Sequence, residues 1–345
     1  MLVIGGGADA MGVVAGLRQE GAVVTVAATE LVASLEDLAD RELISWHRGP
    51  VDDDVIAAAA LVVATAQDPD LLLQCRRVGR PVRTVTGADT APDSGPSPDA
   101  EARPGGEVVL VGGGPGHPDL LTVGGLAALR RADVIVTDRL APLAALTEAR
   151  PDAEVIDVGK VPGGRATRQE TINQLLIDQA RSGRLVVRLK GGDGFVFGRG
   201  GEEWQACAAA GVAVRVLPGV SASTGVPGLA GVPLTHRDLV QGFTVVSGHL
   251  PPDHPGSTVD WAALARSGTT LVIMMGVATL PLITAELITR GMPAELPAVT
   301  IADGGLPGMR TVRGELAKIA ELAVDAGIRP PAVTVIGAVA GLDFS

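Results

Sequence analysis

The stretch RLKGGDGFVFGRGGEEW, Arg188 to Trp204, holds glycine at positions 191, 192, 194, 198, 200 and 201. Glycine weakens an element wherever a side chain would serve, so a run this dense persists where φ must be positive or where a ligand lies against the main chain. Asp193 stands between Gly192 and Gly194, directly after the apolar run RLVVRLK (184–190). The carboxyl edge of parallel strands is where ligands sit in α/β sheets. A second glycine loop, GGGPGHPD (112–119), also follows an apolar run. Pro115 and Pro118 fix φ and remove amide donors, so no helix starts there, and the loop reads as a rigid wall for a flat or shape-matched ligand. A third, Gly5-x-Gly7-x-x-Ala10, has the spacing of a dinucleotide turn, with Glu30 near the place of a ribose-binding acid. It reads either as a nucleotide site or as a Rossmann-like remnant that keeps the fold alone. Together the loops point to a nucleotide-like cofactor held through main-chain contacts.

Alternating strands and helices must position these loops. Strands are predicted at Leu2–Ile4, 22–28, 61–66 and 81–85, with a helix from the first turn to about Gln19. This βαβ pattern predicts a parallel, helix-covered sheet. In residues 88–107 apolar periodicity vanishes and Pro, Ser, Asp and Gly dominate, as in a flexible linker at a domain boundary. The alternation then restarts. Strands are predicted at 108–112, 134–138, 184–190 and 212–218, with helices at 122–132 and 168–183. A second set of strands, at 243–248, 271–276, 298–303 and 333–337, completes two successive α/β lobes with a cleft between them.

The 345-residue length suits two or three domains. No stretch of about 18 unbroken apolar residues is present, so no membrane span is expected. The N-terminus shows no basic region followed by an apolar stretch and cleavage site. Cys75 and Cys207 are far apart with no CxxC partner and read as buried, reduced thiols of a cytoplasmic protein. A net charge of −11 argues against nucleic acid as a partner. The charge is uneven: net −6 over residues 1–90, −2 over 91–106 and −3 beyond, which leaves room for a local basic site for an acidic ligand. His249, Asp253 and His254 in GHLPPDHP read as an exposed proline-rich loop, and no metal is expected.

The segments VVLVGGGPGHPDLLT, ADVIVTDRL, RLKGGDGFVFGRGGEE, LPGVSAS, GVPLTHRD and VIMMGV occur in the order found in the uroporphyrinogen-III C-methyltransferases. Residues 108–345 therefore resemble these S-adenosylmethionine-dependent tetrapyrrole methylases. The segment GGGADA…GAVVTVAATE resembles the NAD-binding domain of siroheme synthases. The dimerisation and chelatase region of roughly a hundred residues that follows in those proteins has no counterpart before the linker. Val85, Thr86 and Gly87 stand where the family closes this domain with Asp, and Met11-Gly-Val-Val-Ala lacks the usual basic residues. The implied organisation is a degenerate Rossmann-like domain at 1–88, a linker at 89–106, and the two lobes of a class III methyltransferase fold at 107–220 and 221–345.

The resemblance implies methylation of uroporphyrinogen III at C2 and C7 to precorrin-2, in siroheme or cobalamin biosynthesis, by a homodimer. The alternatives are a bifunctional siroheme synthase that also oxidises precorrin-2 with NAD, a doubtful cofactor here; a methylase of a later cobalamin precursor; and a non-catalytic, S-adenosylmethionine-sensing partner protein. By the same resemblance, Asp138 is the proton acceptor and Lys160 the donor. From the residues alone, Asp138 ends a strand at the presumed ligand edge and Lys160 precedes a loop with further basic residues, the alternatives being a helix cap or an ion pair with Arg139 for the first and a solvated lysine for the second. The implied S-adenosylmethionine contacts are Pro115, Gly191, Gly192, Asp193, Val196, Ser221, Ala222, Met275 and Gly304. The substrate carries eight carboxylates, and Arg139, Arg165, Arg168, His236 and Arg237 are the residues to pair with them, arginine doing so bidentately. Gly194 replaces the family's proline and His117 its aspartate. The first change predicts a less rigid loop.

Overall fold

The computed structural model describes residues 1–66, 68–85, 106–159 and 167–342. Of the expected linker only residue 106 falls within these, and Lys160 and Arg165 lie outside them. The chain divides into two compact units, Met1–Gly219 and Val220–Ser345.

The first unit holds two parallel sheets. One is formed by β1 (Leu2–Ile4), β2 (Thr25–Ala27), β3 (Ser45–His47), β4 (Val62–Ala64) and β5 (Val82–Thr84), in the order β3-β2-β1-β4-β5. The other is formed by β6 (Glu107–Gly112), β7 (Val134–Thr137), β8 (Glu154–Asp157), β9 (Leu185–Lys190) and β10 (Ala213–Leu217), in the order β10-β6-β9-β7-β8. Their central strands are runs of Val, Ile and Leu with both faces buried, as parallel sheets require. The strands of the first sheet have only three residues each, shorter than the runs at 22–28, 61–66 and 81–85 predict.

Residues 1–85 and 106–219 share one core. Met11, Val14 and Leu35 belong to the same buried cluster as Leu129, Ile135, Leu143, Leu146 and Leu189. The helix Ala8–Gln19 lies along the 3-10 segment Leu143–Glu148. A Cβ on Gly12 would stand 3.2 Å from the Thr147 methyl, so the missing side chain permits that approach. The main-chain N–H of Ser34, in the first turn of the helix Ala33–Asp40, donates to the Asp157 carboxylate at 2.8 Å.

The second unit carries one mixed sheet. Its strands are β11 (Phe243–Ser247), β12 (Thr270–Met274), β13 (Pro297–Ala302), β14 (Arg310–Glu315) and β15 (Ala332–Ile336), in the order β11-β12-β15-β13-β14. β15 runs antiparallel to both neighbours, so β12 and β13 point the same way. The register sets Met274 opposite Val333 and Ala302 opposite Ala332. The carboxyl ends of β12 and β13 therefore flank the start of β15.

Candidate active site

Three loops meet at the carboxyl ends of β10, β6 and β9. Gly114 and Gly192 exchange main-chain hydrogen bonds, Gly114 N–H to Gly192 carbonyl at 3.1 Å and the reverse at 2.8 Å. The Gly113 N–H donates to the Lys190 carbonyl at 2.8 Å. The Asp193 carboxylate accepts from Phe195 N–H at 2.8 Å with one oxygen and from Gly219 N–H at 3.0 Å with the other. Pro115, Gly191, Gly192 and Asp193 are thus brought together.

The glycines here serve the protein's own packing first. A Cβ on Gly191 would lie 2.1 Å from the Leu140 carbonyl oxygen, and Gly192 has φ +64°. Side chains at Gly198 and Gly200 would meet the Gly194 carbonyl oxygen at 2.7 and 2.6 Å. The Gly200 N–H donates to that same oxygen, and the helix Gly200–Ala209 starts there after Arg199, which has φ +58°. Val196 is exposed beside this turn.

Asp138 follows β7, one strand over from β9. It caps no helix and does not pair with Arg139. One carboxylate oxygen accepts from Leu140 N–H at 3.1 Å, and the other from Arg188 Nη2 at 2.8 Å. Arg139 turns to Asp37 of the N-terminal region, 3.4 Å away. Arg188, in turn, donates through Nε to Glu203 Oε1 at 3.0 Å, and Lys190 Nζ donates to the same oxygen at 3.0 Å. Arg188 is 3 % exposed and Glu203 fully buried, while a quarter of the Asp138 side chain reaches solvent. Burial by itself would raise the Asp138 carboxyl, but the charges of Arg188 and Lys190, and the hydrogen bonds from Arg188 and Leu140 N–H, outweigh it and hold the group below the usual carboxylate range. Burial, then the charge of Arg188, pulls Lys190 down against the opposing pull of Glu203 and Asp138. The sequence reading missed Arg188, Lys190 and Glu203. The signal was present: Arg188 and Lys190 are two apart in an otherwise apolar strand and so share one face.

In the second unit, Met275 follows β12 with φ +57° and Gly304 follows β13. A Cβ on Gly304 would stand 2.5 Å from a Val226 methyl. That valine lies in the helix Ala222–Leu229, which Ser221 caps by accepting from Ser223 N–H at 3.3 Å. Ser221, Ala222, Met275 and Gly304 therefore converge on one end of this unit. His236 exchanges main-chain bonds with Val240, and Arg237 is exposed in the same turn. Arg168 is exposed ahead of the helix Gln169–Arg181 in the first unit.

The N-terminal glycine turn borders a cavity of about 480 Å³ lined by Gly6, Gly7, Glu30, Glu36 and, from β8, Val155 and Asp157. Three of its lining side chains are carboxylates and none is cationic. A Cβ on Gly6 would meet the Glu30 carbonyl oxygen at 2.1 Å, and the Val32 N–H donates to the Gly6 carbonyl at 2.8 Å. The turn packs on the chain's own main chain, and its charge does not suit a dinucleotide pyrophosphate.

A family model described as Tetrapyrrole (Corrin/Porphyrin) Methylases matches residues 107–320, and one described as NAD(P)-binding matches residues 1–94. The siroheme synthase of Thiobacillus denitrificans is 45% identical over 237 residues, 69% of this chain and 49% of that protein. That of Tolumonas auensis is 48% identical over 238 residues, 69% of this chain and 50% of that protein. The chain spans about half the length of the curated relatives it matches. Among solved structures, the native uroporphyrin III C-methyl transferase of Thermus thermophilus is 39% identical with a TM-score of 0.57, covering 68% of this chain and 93% of that one. A second structure of that enzyme, complexed with S-adenyl homocysteine, is 38% identical with a TM-score of 0.58, covering 68% and 94%.

Proposed function

Because the chain belongs to the tetrapyrrole methylases, we propose that it methylates uroporphyrinogen III at C2 and C7, with S-adenosylmethionine as donor, to give precorrin-2. The observation that carries this reading is the main-chain junction of the β6, β9 and β10 loops beside an ionised Asp138. The first-unit loops offer half-buried main chain at Gly191, beside the Gly192–Gly114 bridge, and an exposed apolar side chain at Val196. Taken by itself, the second unit presents Met275, exposed at a strand end, with Ser221, Ala222 and Gly304. Each set by itself suits part of a nucleoside with a sulfonium side chain. When bound, that group supplies the electrophilic methyl. The residues supply alignment, which is the larger share of catalysis when the nucleophile is already an electron-rich carbon.

Asp193 acts on the cofactor through the loop it ties to Gly219. Asp138, held ionised, accepts the proton that leaves as the macrocycle rearranges. Lys160 returns one. Arg165, Arg168, His236 and Arg237 pair with ring carboxylates, joined by Arg139 once it leaves Asp37. The domain limits 1–88, 107–220 and 221–345, a homodimer and a cytoplasmic location belong to the same proposal. The buried, unpaired thiols of Cys75 and Cys207 suit that compartment. Among the described residues no helix is long and apolar enough to cross a membrane.

The test is anaerobic incubation with uroporphyrinogen III and S-adenosylmethionine, followed by product mass. A gain of two methyl groups supports the reading. S-adenosylmethionine binding without methyl gain overturns the substrate and favours a later-precursor methylase or a sensor. Calorimetric titration with NAD addresses the bifunctional alternative, and the acid-lined turn predicts no saturable binding below about 1 mM, a range reached by ordinary cofactor sites.

A further inference from the structure

We propose that Glu203 is a positioning residue which, through Arg188, fixes the Asp138 carboxylate at the edge of the sheet; the inference rests on the role given to Asp138 above.

The geometry is a chain of contacts from core to edge. Glu203 lies in the helix Gly200–Ala209 and has no solvent exposure. Its Oε1 takes Arg188 Nε and Lys190 Nζ, both at 3.0 Å, with Gln169 Nε2 at 3.4 Å. Its Oε2 has no hydrogen-bond partner among the described residues. Arg188 spends its remaining donors on β7 and on its own strand: Nη1 on the carbonyls of Val136 at 3.3 Å and Leu189 at 3.1 Å, Nη2 on Asp138 Oδ2 at 2.8 Å. The planar guanidinium has a fixed fork, so fastening Nε and Nη1 leaves Nη2 one direction in which to point. Asp138 Oδ1 is fastened separately by Leu140 N–H.

Stability alone does not account for this arrangement. A buried ion pair is often no better than an apolar substitute of the same volume, because desolvation offsets the attraction. Two cations and two anions here sit within hydrogen-bond contact, with only Asp138 reaching solvent appreciably. Glu203 balances the charge that Asp138 cannot balance by itself and keeps Arg188 from swinging outward. Among the described residues the other charged groups near Asp138 are Arg139, engaged by Asp37, and Asp157, whose Oδ1 accepts from Gly159 N–H and whose Oδ2 accepts from Ser34 N–H.

The experiment compares wild type with E203Q, E203D, R188K and R188Q in anaerobic methylation from pH 5 to 9, alongside calorimetric binding of S-adenosylhomocysteine. E203Q and R188Q are expected to lower kcat at least tenfold while the dissociation constant stays within about threefold of wild type, as a misplaced group costs rate without costing cofactor contacts. E203D, which keeps the charge, is expected to recover part of the loss. R188Q is expected to raise the midpoint of the ¹³C carboxyl titration of Asp138, because a carboxylate deprived of its cation titrates higher. Wild-type kcat in E203Q, or a loss that appears equally in cofactor binding, overturns the proposal. Should E203Q not fold, R188K decides: it keeps the charge and loses the fork, and full kcat there overturns the proposal. If the wild type does not methylate, the proposed function fails instead. The ¹³C carboxyl titration of Asp138, assigned with D138N, then decides this one: an unmoved midpoint in R188Q overturns it, and a raised midpoint supports it.

Discussion

Gly191→Ala tests whether the glycine loop is held by the protein's own main chain. The added Cβ would fall 2.1 Å from the Leu140 carbonyl oxygen and 2.6 Å from its carbonyl carbon. Cβ atoms do not approach within 3.0 Å of such atoms, so the two segments must part by about 0.9 Å, and both are backbone. Gly191 is flanked by Lys190, whose carbonyl holds Gly113 N–H, and by Gly192, bridged to Gly114. The movement therefore falls on the Leu140 side, and Leu140 N–H is one of the two donors to Asp138. Overpacking of this kind costs about 1–3 kcal/mol of stability, and a shift near 1 Å in a group that positions substrate costs up to about 10²-fold in rate. The assay is a thermal melt, calorimetric binding of S-adenosylhomocysteine, and anaerobic methylation of the same preparation. The expected result is a lower melting temperature, weaker cofactor binding and a kcat loss larger than the binding loss. Cofactor binding and kcat both within twofold of wild type would refute the reasoning.

Asp37→Asn releases Arg139. The pair is half-buried and Asp37 also meets Arg41 at 3.5 Å, so the loss should be about 1 kcal/mol and melting should fall slightly, while the KM for uroporphyrinogen III should fall two- to threefold; a raised KM would mean that Asp37 aims the arginine rather than competing for it. Asp138→Asn should destabilise by roughly 1–3 kcal/mol, the usual loss for a hydrogen bond to a charged group. Because the folded pKa lies below the unfolded value of about 3.9, this contribution is full above the unfolded value and is lost as pH falls through the folded one. Denaturant melts should thus show a constant gap between wild type and variant from pH 7 to about 5, closing only below about 4, and closure by pH 6 would contradict the assignment. Burial, reinforced by Glu203, pushes the Cys207 thiol up to about 11, so it stays protonated and inert at pH 8. A disulfide reagent at pH 8 should label it only after unfolding; prompt labelling of native protein at Cys207 would show that the core there opens.

The central strands were all legible in the sequence, and of the edge strands β5, β10 and β11 were legible while three others were not. The runs at 108–112, 184–190, 271–276 and 298–303 are mostly apolar, are largely buried and were found within a residue or two. The reading overlooked β3 (Ser-Trp-His), β8 (Glu-Val-Ile-Asp) and β14 (Arg-Thr-Val-Arg-Gly-Glu), each the outermost strand of its sheet. An edge strand buries less and carries charge to blunt pairing, so its apolar signal is weak. The antiparallel course of β15 was equally invisible, since the period of a strand says nothing of its direction. At the site, the loops were found through glycine spacing, but the partner of Asp138 was not. Sequence adjacency suggested Arg139. The parallel pairing of β7 with β9 instead sets Arg188 beside Val136, within reach of Asp138.

The same distinction between spacing and surroundings governs the N-terminal turn. Gly5-x-Gly7-x-x-Ala10 has the backbone of a nucleotide turn, and the sheet order β3-β2-β1-β4-β5 is that of a doubly wound nucleotide fold. Backbone amides at a helix N-terminus attract an anion only if their surroundings do not cancel the attraction. Here Asp9 occupies the first turn of the following helix, and Glu30, Glu36 and Asp157 line the cavity. Asp157, from the methylase lobe, already accepts from the first turn of the neighbouring helix. One face of the glycine-capped helix is buried against Leu143–Glu148, with Gly12 as the point of closest approach. In this chain the glycines of the turn pack on neighbouring N-terminal segments, Gly5 on Thr65 and Gly6 on Glu30, while Gly12 of the following helix permits the packing against residues 143–148. Through the Asp37–Arg139 pair, that packing reaches an arginine that the proposed reaction needs.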